Sequence, residues 1–183
     1  VLGNQVYSNA AQGINVGVSG VLVNDNNDAD TGANNGQNYP VVTKAVTTGT
    51  LIEVTGAFNS KASSYFRVEF FASASGDGSG YGEGQAFLGA VHLATNSSGN
   101  ASFATTLAAP VAAGAVVSAT ATKSTSTYGA FTDTSEFAAN VTATLAPYSL
   151  RSTLALDAPT NATATTTRTG AGVTVAVIDS GLV

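Results

Sequence analysis

The sequence contains no cysteine, no methionine and no tryptophan. Without cysteine, neither a disulfide scaffold nor a thiolate metal site can form. Charge is scarce too: 9% of residues are charged, the net charge is −5, and the six lysines and arginines are scattered. Nothing resembles the basic stripe that nucleic-acid binding needs, so nucleic acid is not an expected partner. No apolar run reaches the roughly 18 residues of a membrane span, so membrane insertion is not expected either. The chain has neither a starting methionine nor a signal peptide, and so reads as a mature product or an excised piece.

What is present is Thr, Ala, Ser, Gly, Asn and Val in 183 residues, 44% of them hydrophobic. β-Branched residues suit pleated surfaces, while Gly and Asn suit turns, so the expectation is an all-β protein. The hydrophobic content and the positive mean hydropathy argue against disorder. The clearest local signal is Tyr65-Phe66-Arg67-Val68-Glu69-Phe70-Phe71-Ala72. Phe66, Val68 and Phe70 alternate with Arg67 and Glu69, the period-2 pattern of a half-buried strand. Arg67 and Glu69 then share one strand face and read as a surface pair worth little.

Seven strand signals follow one another over 41–46, 51–58, 65–72, 86–95, 101–107, 116–122 and 137–144. Gly, Asn and Ser clusters separate them, and this spacing suggests an immunoglobulin-like sandwich over residues 41–144. The expected core is Ile52, Val54, Phe58, Phe66, Val68, Phe70, Phe87, Val91, Leu93, Phe103, Leu107, Val117 and Phe137. With no Cys pair and no Trp, any likeness is to bacterial domains and not to antibody domains.

Before this region, residues 1–23 carry short apolar runs separated by Asn and Gly, with Asn4, Val6, Asn9, Gly13 and Ile14 at recurring positions. They resemble the last rung of a right-handed parallel β-helix; an ordinary strand pair of the next domain is the plainer alternative. A single rung cannot bury its own face without neighbours to stack on. The likeness extends through Gln37-Asn38-Tyr39-Pro40-Val41, Phe66-Arg67-Val68-Glu69-Phe70-Phe71, Gly80-Tyr81-Gly82-Glu83-Gly84-Gln85, Ala119-Thr120-Ala121-Thr122 and Thr134-Ser135-Glu136-Phe137. As a set, these motifs over about residues 4–140 resemble the C-terminal region of large secreted bacterial β-helix proteins, where the helix is followed by an Ig-like domain. The resemblance implies an extracellular or cell-surface location. This chain departs from the family at Lys123-Ser124-Thr125, where an Asp-containing turn is usual, so no acidic site is expected there.

Three stretches invite chemistry. The loop at 24–40 places Asp25, Asp28 and Asp30 within six residues. Hard cations choose clustered carboxylates, so calcium is the one cofactor suggested, against a solvated Asx-turn loop between two domains. The EF-hand template fails, because Gly32 comes too late and no closing Glu follows. The run from Gly76 to Gly84 has no Gly-x-Gly-x-x-Gly register and leads into a strand, so it reads as a long flexible hairpin loop, with a contact role for Tyr81 as the alternative. The single histidine, His92, has no second His or Cys and reads as a sheet-face residue.

After a Thr/Ala-rich linker at 145–169, residues 170–183 read Gly-Ala-Gly-Val-Thr-Val-Ala-Val-Ile-Asp-Ser-Gly-Leu-Val. They resemble the first core strand of subtilisin-like serine proteases, and that resemblance implies that Asp179 matches the Asp that orients the catalytic His. No His or Ser segment follows, so this chain is expected to be non-catalytic. Val173, Val175, Val177 and Ile178 put apolar groups on both strand faces and want burial on both sides. Two functions are consistent with these ends. One is a structural module of the surface or of a filament, assembling head-to-tail by adding this C-terminal strand to a neighbour's sheet edge. The other is an accessory N-terminal region of a secreted subtilisin-like protease, truncated after its Asp strand. Carbohydrate binding is a third possibility that lacks a visible aromatic platform.

Overall fold

In the computed structural model, the described residues are 2–17 and 19–147. Nine strands form in order: β1 (Val41–Thr47), β2 (Ile52–Asn59), β3 (Tyr65–Ser73), β4 (Ala86–Ala94), β5 (Asn100–Leu107), β6 (Val116–Ser124), β7 (Phe131–Thr134), β8 (Val141–Thr142) and β9 (Thr144–Leu145). They make two sheets, ordered β5-β2-β1-β9 and β4-β3-β6-β7, with β8 also pairing β6. Every pairing is antiparallel except that of β9 with β1. The fold is all-β and sandwich-like, as the alternating pattern predicts. Residues 1–146 cluster as one compact unit.

The core lies where the inward faces meet. Ile52, Val54 and Phe58 of β2 face Phe66, Val68 and Phe70 of β3, and all six are buried. Phe58 meets Phe66 edge-on at 4.8 Å, and Phe70 meets Phe103 of β5 at 5.3 Å. Such pairs add about 0.5–1.5 kcal/mol to the burial of the rings themselves. In register beside Phe70 and Val68, β6 supplies only Ala119 and Ala121, which leaves the rings room to pack at interior density.

One core expectation fails for a local reason. Phe87 is not in the core but 39% exposed. A bulge shifts the β3–β4 register so that Phe70 faces Gly89 and Phe71 faces Phe87. The extra residue, Leu88, turns inward in its place, and Gly89 takes the positive φ of 144° that the bulge requires. Val91, Leu93 and Leu107 are only partly buried at the core margin.

The seventh predicted strand, 137–144, also differs. The strand forms earlier, at β7, and the chain then leaves the ladder. The Ser135 hydroxyl accepts the N–H of Ala121 and donates to the carbonyl of Glu136, so a side chain takes over a ladder bond. The chain rejoins the second sheet at β8, crosses between the sheets at buried Ala143, and pairs with β1 as β9.

Candidate functional site

Unlike an ordinary two-faced strand, β3 is buried on both faces. Phe66, Val68 and Phe70 point inward, but Glu69 and Phe71 on the outer face are buried as well. The cover is the N-terminal segment, which runs over the outer face of the second sheet. Among the described residues it forms no strand there and has one bridge, Val6 with Gly84, closed by N–H···O bonds of 2.9 and 2.8 Å. Beneath it, Phe71 and Phe137 meet edge-on at 5.5 Å. Gly13, Gly82 and Gly84 pack directly on these rings: a Cβ at Gly82 would lie 2.5 Å from Phe137 Cβ, and one at Gly84 2.8 Å from Phe71 Cδ1. The expectation of a flexible loop at 76–84 is therefore corrected. Its second half, 82–84, is buried because glycine lets the backbone approach the rings.

Three glutamates hold the segment down. Glu69 accepts the N–H of Gly3 at 2.8 Å. Glu83 accepts both the N–H and the side-chain amide of Asn9, at 3.1 and 2.7 Å. Glu136 accepts the N–H groups of Val16 and Leu22, each at 3.0 Å, and the amide of Gln12 at 3.2 Å. An irregular segment cannot satisfy its own N–H groups, and an orphaned one in a buried place costs as much as a lost hydrogen bond. Glu69 and Glu136 are each 1% exposed and Glu83 8%. The expectation of a surface Arg67–Glu69 pair is corrected too. Arg67 Nε donates to Glu69 Oε1 at 2.8 Å, beneath the segment that the other oxygen holds.

The aspartate loop joins this segment to β1. Amide side chains act as substitute peptide groups: Asn24 pairs both ways with the backbone of Tyr39, and Asn38 donates to the carbonyls of Asp25 and Asn59. Asn34 and Asn35 take left-handed backbone angles, which Asn tolerates. Asp25 receives the N–H groups of Ala29 and Asp30. Asp28 is buried, with its oxygens on the Asn38 N–H and the Ser60 hydroxyl, while the Lys61 ammonium donates to its carbonyl.

The predicted trio does converge: one carboxylate oxygen from each of Asp25, Asp28 and Asp30 lies within 4.8 Å of the others. Calcium–oxygen distances of about 2.3–2.6 Å span that separation. Asp30 Oδ1 is buried with no hydrogen-bond partner, against Gly36, where a Cβ would come within 2.0 Å of it. Three carboxylates thus face one ammonium. Burial, then the neighbouring Asp25 and Asp28 carboxylates, push the Asp30 carboxyl up from its ordinary value, against a smaller opposing pull from Lys61.

Of the other candidates, His92 is exposed on β4 and stacks flat on Tyr128 at 3.9 Å, with no acid or second histidine grouped with it among the described residues. Tyr81 turns to an internal partner, meeting Tyr39 edge-on at 5.5 Å. Burial and then the Tyr81 side chain push the Tyr39 phenol up to about 12, so it is neutral at physiological pH. Asp179, Val173, Val175, Val177 and Ile178 lie outside the described residues. Sequence reasoning missed Glu83 and Glu136 as the groups that hold the N-terminal segment. The signal that was available is Phe71, a large apolar residue on the same strand face as Glu69. No family model matches the chain, and no curated protein matches it.

Replacing Glu136 by Gln exchanges one acceptor oxygen for a donor that faces N–H groups. Hydrogen bonds to charged groups are worth about 1.5–3 kcal/mol each, so Glu136→Gln should lower unfolding stability by at least that amount in urea titrations. The raised Asp30 value has the opposite sign. Its contribution is fully present below the unfolded carboxyl value and is lost as pH rises through the folded one. In chelator, Asp30→Asn should therefore melt higher than the parent at pH 7, and the gap should close as pH falls towards 3. The pH series of melting temperatures checks this.

Proposed function

We propose that this chain is a non-catalytic structural module of an extracellular or cell-surface protein. In this reading the two-sheet domain is Ig-like, and the segment before it, which forms no strand among the described residues, is pinned to the outer face of the second sheet as a joint. Three buried glutamates along one segment suit a rigid joint better than a tether. The resemblance to secreted bacterial β-helix proteins points the same way.

The observation that carries the assembly part of the proposal is the edge of β5, which among the described residues pairs only with β2. The strand is eight residues long, pairs β2 throughout its length and ends its sheet. Natural edges are usually blunted by charge, proline or a bulge. The other long edge, β4, carries the Leu88–Gly89 bulge, but Asn100–Leu107 has no charge, no proline and no bulge. Such an edge accepts an added strand through its main chain. The donor in this proposal is the strand bearing Val173, Val175, Val177 and Ile178 from the next copy, a heterologous contact that repeats head-to-tail. Burying those four side chains contributes roughly 6–12 kcal/mol, against an association cost of about 4–15. The strand alone is marginal, so further contacts must join it.

The competing reading is the accessory region of a secreted subtilisin-like protease, with Asp179 at the point of truncation. Sedimentation velocity separates the two. The full chain should form species larger than a monomer. Removal of 170–183, or Ala104→Lys on the exposed face of β5, should return it to monomer with its melting temperature little changed. A monomeric full chain at high concentration defeats the assembly reading.

Calcium enters as a property of the joint. The unpartnered oxygen of Asp30 and the excess of carboxylate over ammonium favour a divalent cation in the loop. Millimolar calcium should raise the melting temperature of the parent, by the ordinary linkage of a ligand that binds only the folded state. Asp30→Asn should abolish most of that response, and magnesium should reproduce little of it.

A further inference from the structure

Two clefts, the first mainly polar and the second mainly apolar, open between the N-terminal segment and the loop that follows β3. The first, of about 370 Å³, is walled by residues 7–9 on one side and 73–78 on the other, with Glu83 and Gln85 beneath. The second, of about 490 Å³, continues along residues 10–12 and shares Asp77 and Gly78 with the first. The two clefts meet at Asp77 and Gly78, where the turn closed by the Gly80 N–H on the Asp77 carbonyl begins.

The chemistry of the first cleft has one sign. Asp77 and Glu83 line it, and no lysine, arginine or histidine does. Glu83 is buried, but only one of its oxygens is well used. Oε1 takes both donors of Asn9, while Oε2 has a single long contact of 3.5 Å from the same N–H. Hydrogen bonds from the Ser79 hydroxyl, then from its N–H, hold the Asp77 carboxyl below the ordinary carboxylate range, so it stays charged to lower pH. At the rim, Tyr7 is 48% exposed.

We propose that this cleft binds a lysine or arginine side chain of a partner protein, with the cationic head on Asp77 and Glu83 and the apolar stem against the Tyr7 ring. A cation is attracted by both carboxylates and by the aromatic face. A neutral polyol would gain hydrogen bonds alone, and an anion would be repelled. A volume of a few hundred cubic ångströms accommodates one such side chain. The adjoining cleft, which shares Asp77 and Gly78 with this one, leaves room for residues that flank that side chain.

The test is an NMR titration of the full chain with blocked arginine (N-acetyl-arginine amide), set beside blocked glutamate and methyl glucoside at equal concentrations. Blocked arginine should move the backbone amides of Asn9, Asp77 and Ser79 along a saturable curve, and added salt should weaken binding. Asp77→Asn should weaken it by about fivefold, the upper end of what one solvent-exposed ion pair contributes. Tyr7→Ala, which removes a half-exposed ring, should weaken it while leaving the rest of the spectrum in place. Unmoved amides would overturn the proposal. So would equal binding of blocked glutamate or methyl glucoside, or an Asp77→Asn variant that binds like the parent.

Discussion

Carboxylate oxygens accepting main-chain N–H groups are the interaction on which the rest of this structure depends. The chain has four glutamates, and three of them are buried beneath a segment without regular structure. Such a segment arrives with every N–H unpaired, and no neighbouring strand edge is offered to it apart from the bridge at Gly84. Side-chain acceptors fixed on β3, on the loop before β4 and after β7 take that role. Charged acceptors also stay put: each of the three sits among packed aromatic rings or buried glycines. Beneath the segment Glu69 and Phe71 on the outer face of the second sheet are buried, and Phe71 and Phe137 form a second, smaller apolar cluster there.

How much of this was legible in the sequence follows from the range of each interaction. The first six strands were found within two residues, because strict alternation between turn clusters is a local property. Placing Phe87 inside failed because a bulge at Gly89 reverses the facing of what precedes it, and the alternation alone cannot show it. The seventh strand failed because Ser135 competes for a ladder bond, a choice made by tertiary placement. Glu69 was read as a surface residue although Phe71, two positions on, marked its face as covered. The cover comes from Gly3, which local reasoning cannot bring near. The aspartate trio was visible from spacing, but the Asn24 and Asn38 pairings that shape the loop were not.

The same molecule uses glycine in two opposed ways. At Gly89 the residue supplies a backbone angle that bends a strand. At Gly82 and Gly84 it supplies absence of bulk, so that rings can press on the backbone. A glycine-rich run is commonly taken as a sign of freedom, yet here the half that meets Phe137 is among the more tightly packed parts of the domain. The half that keeps its exposure is the one that reaches the grooves beside Asp77.

The brevity of β9 bears on how the domain would carry force. It is held to β1 by two residue pairs, the Ala146 N–H on the Thr47 carbonyl and the Thr144 hydroxyl on the Ala45 carbonyl. The opposite terminus is held by hydrogen bonds to three separate glutamates and one bridge, spread over twenty residues. Tension applied between Leu2 and Pro147 would therefore be resisted unequally: the β9 side has two pairs to lose, while the N-terminal side must lose several bonds together. Loss of those pairs would uncover β1 as a fresh edge, while the Phe58–Phe66 and Phe70–Phe103 contacts of the core lie on other strands.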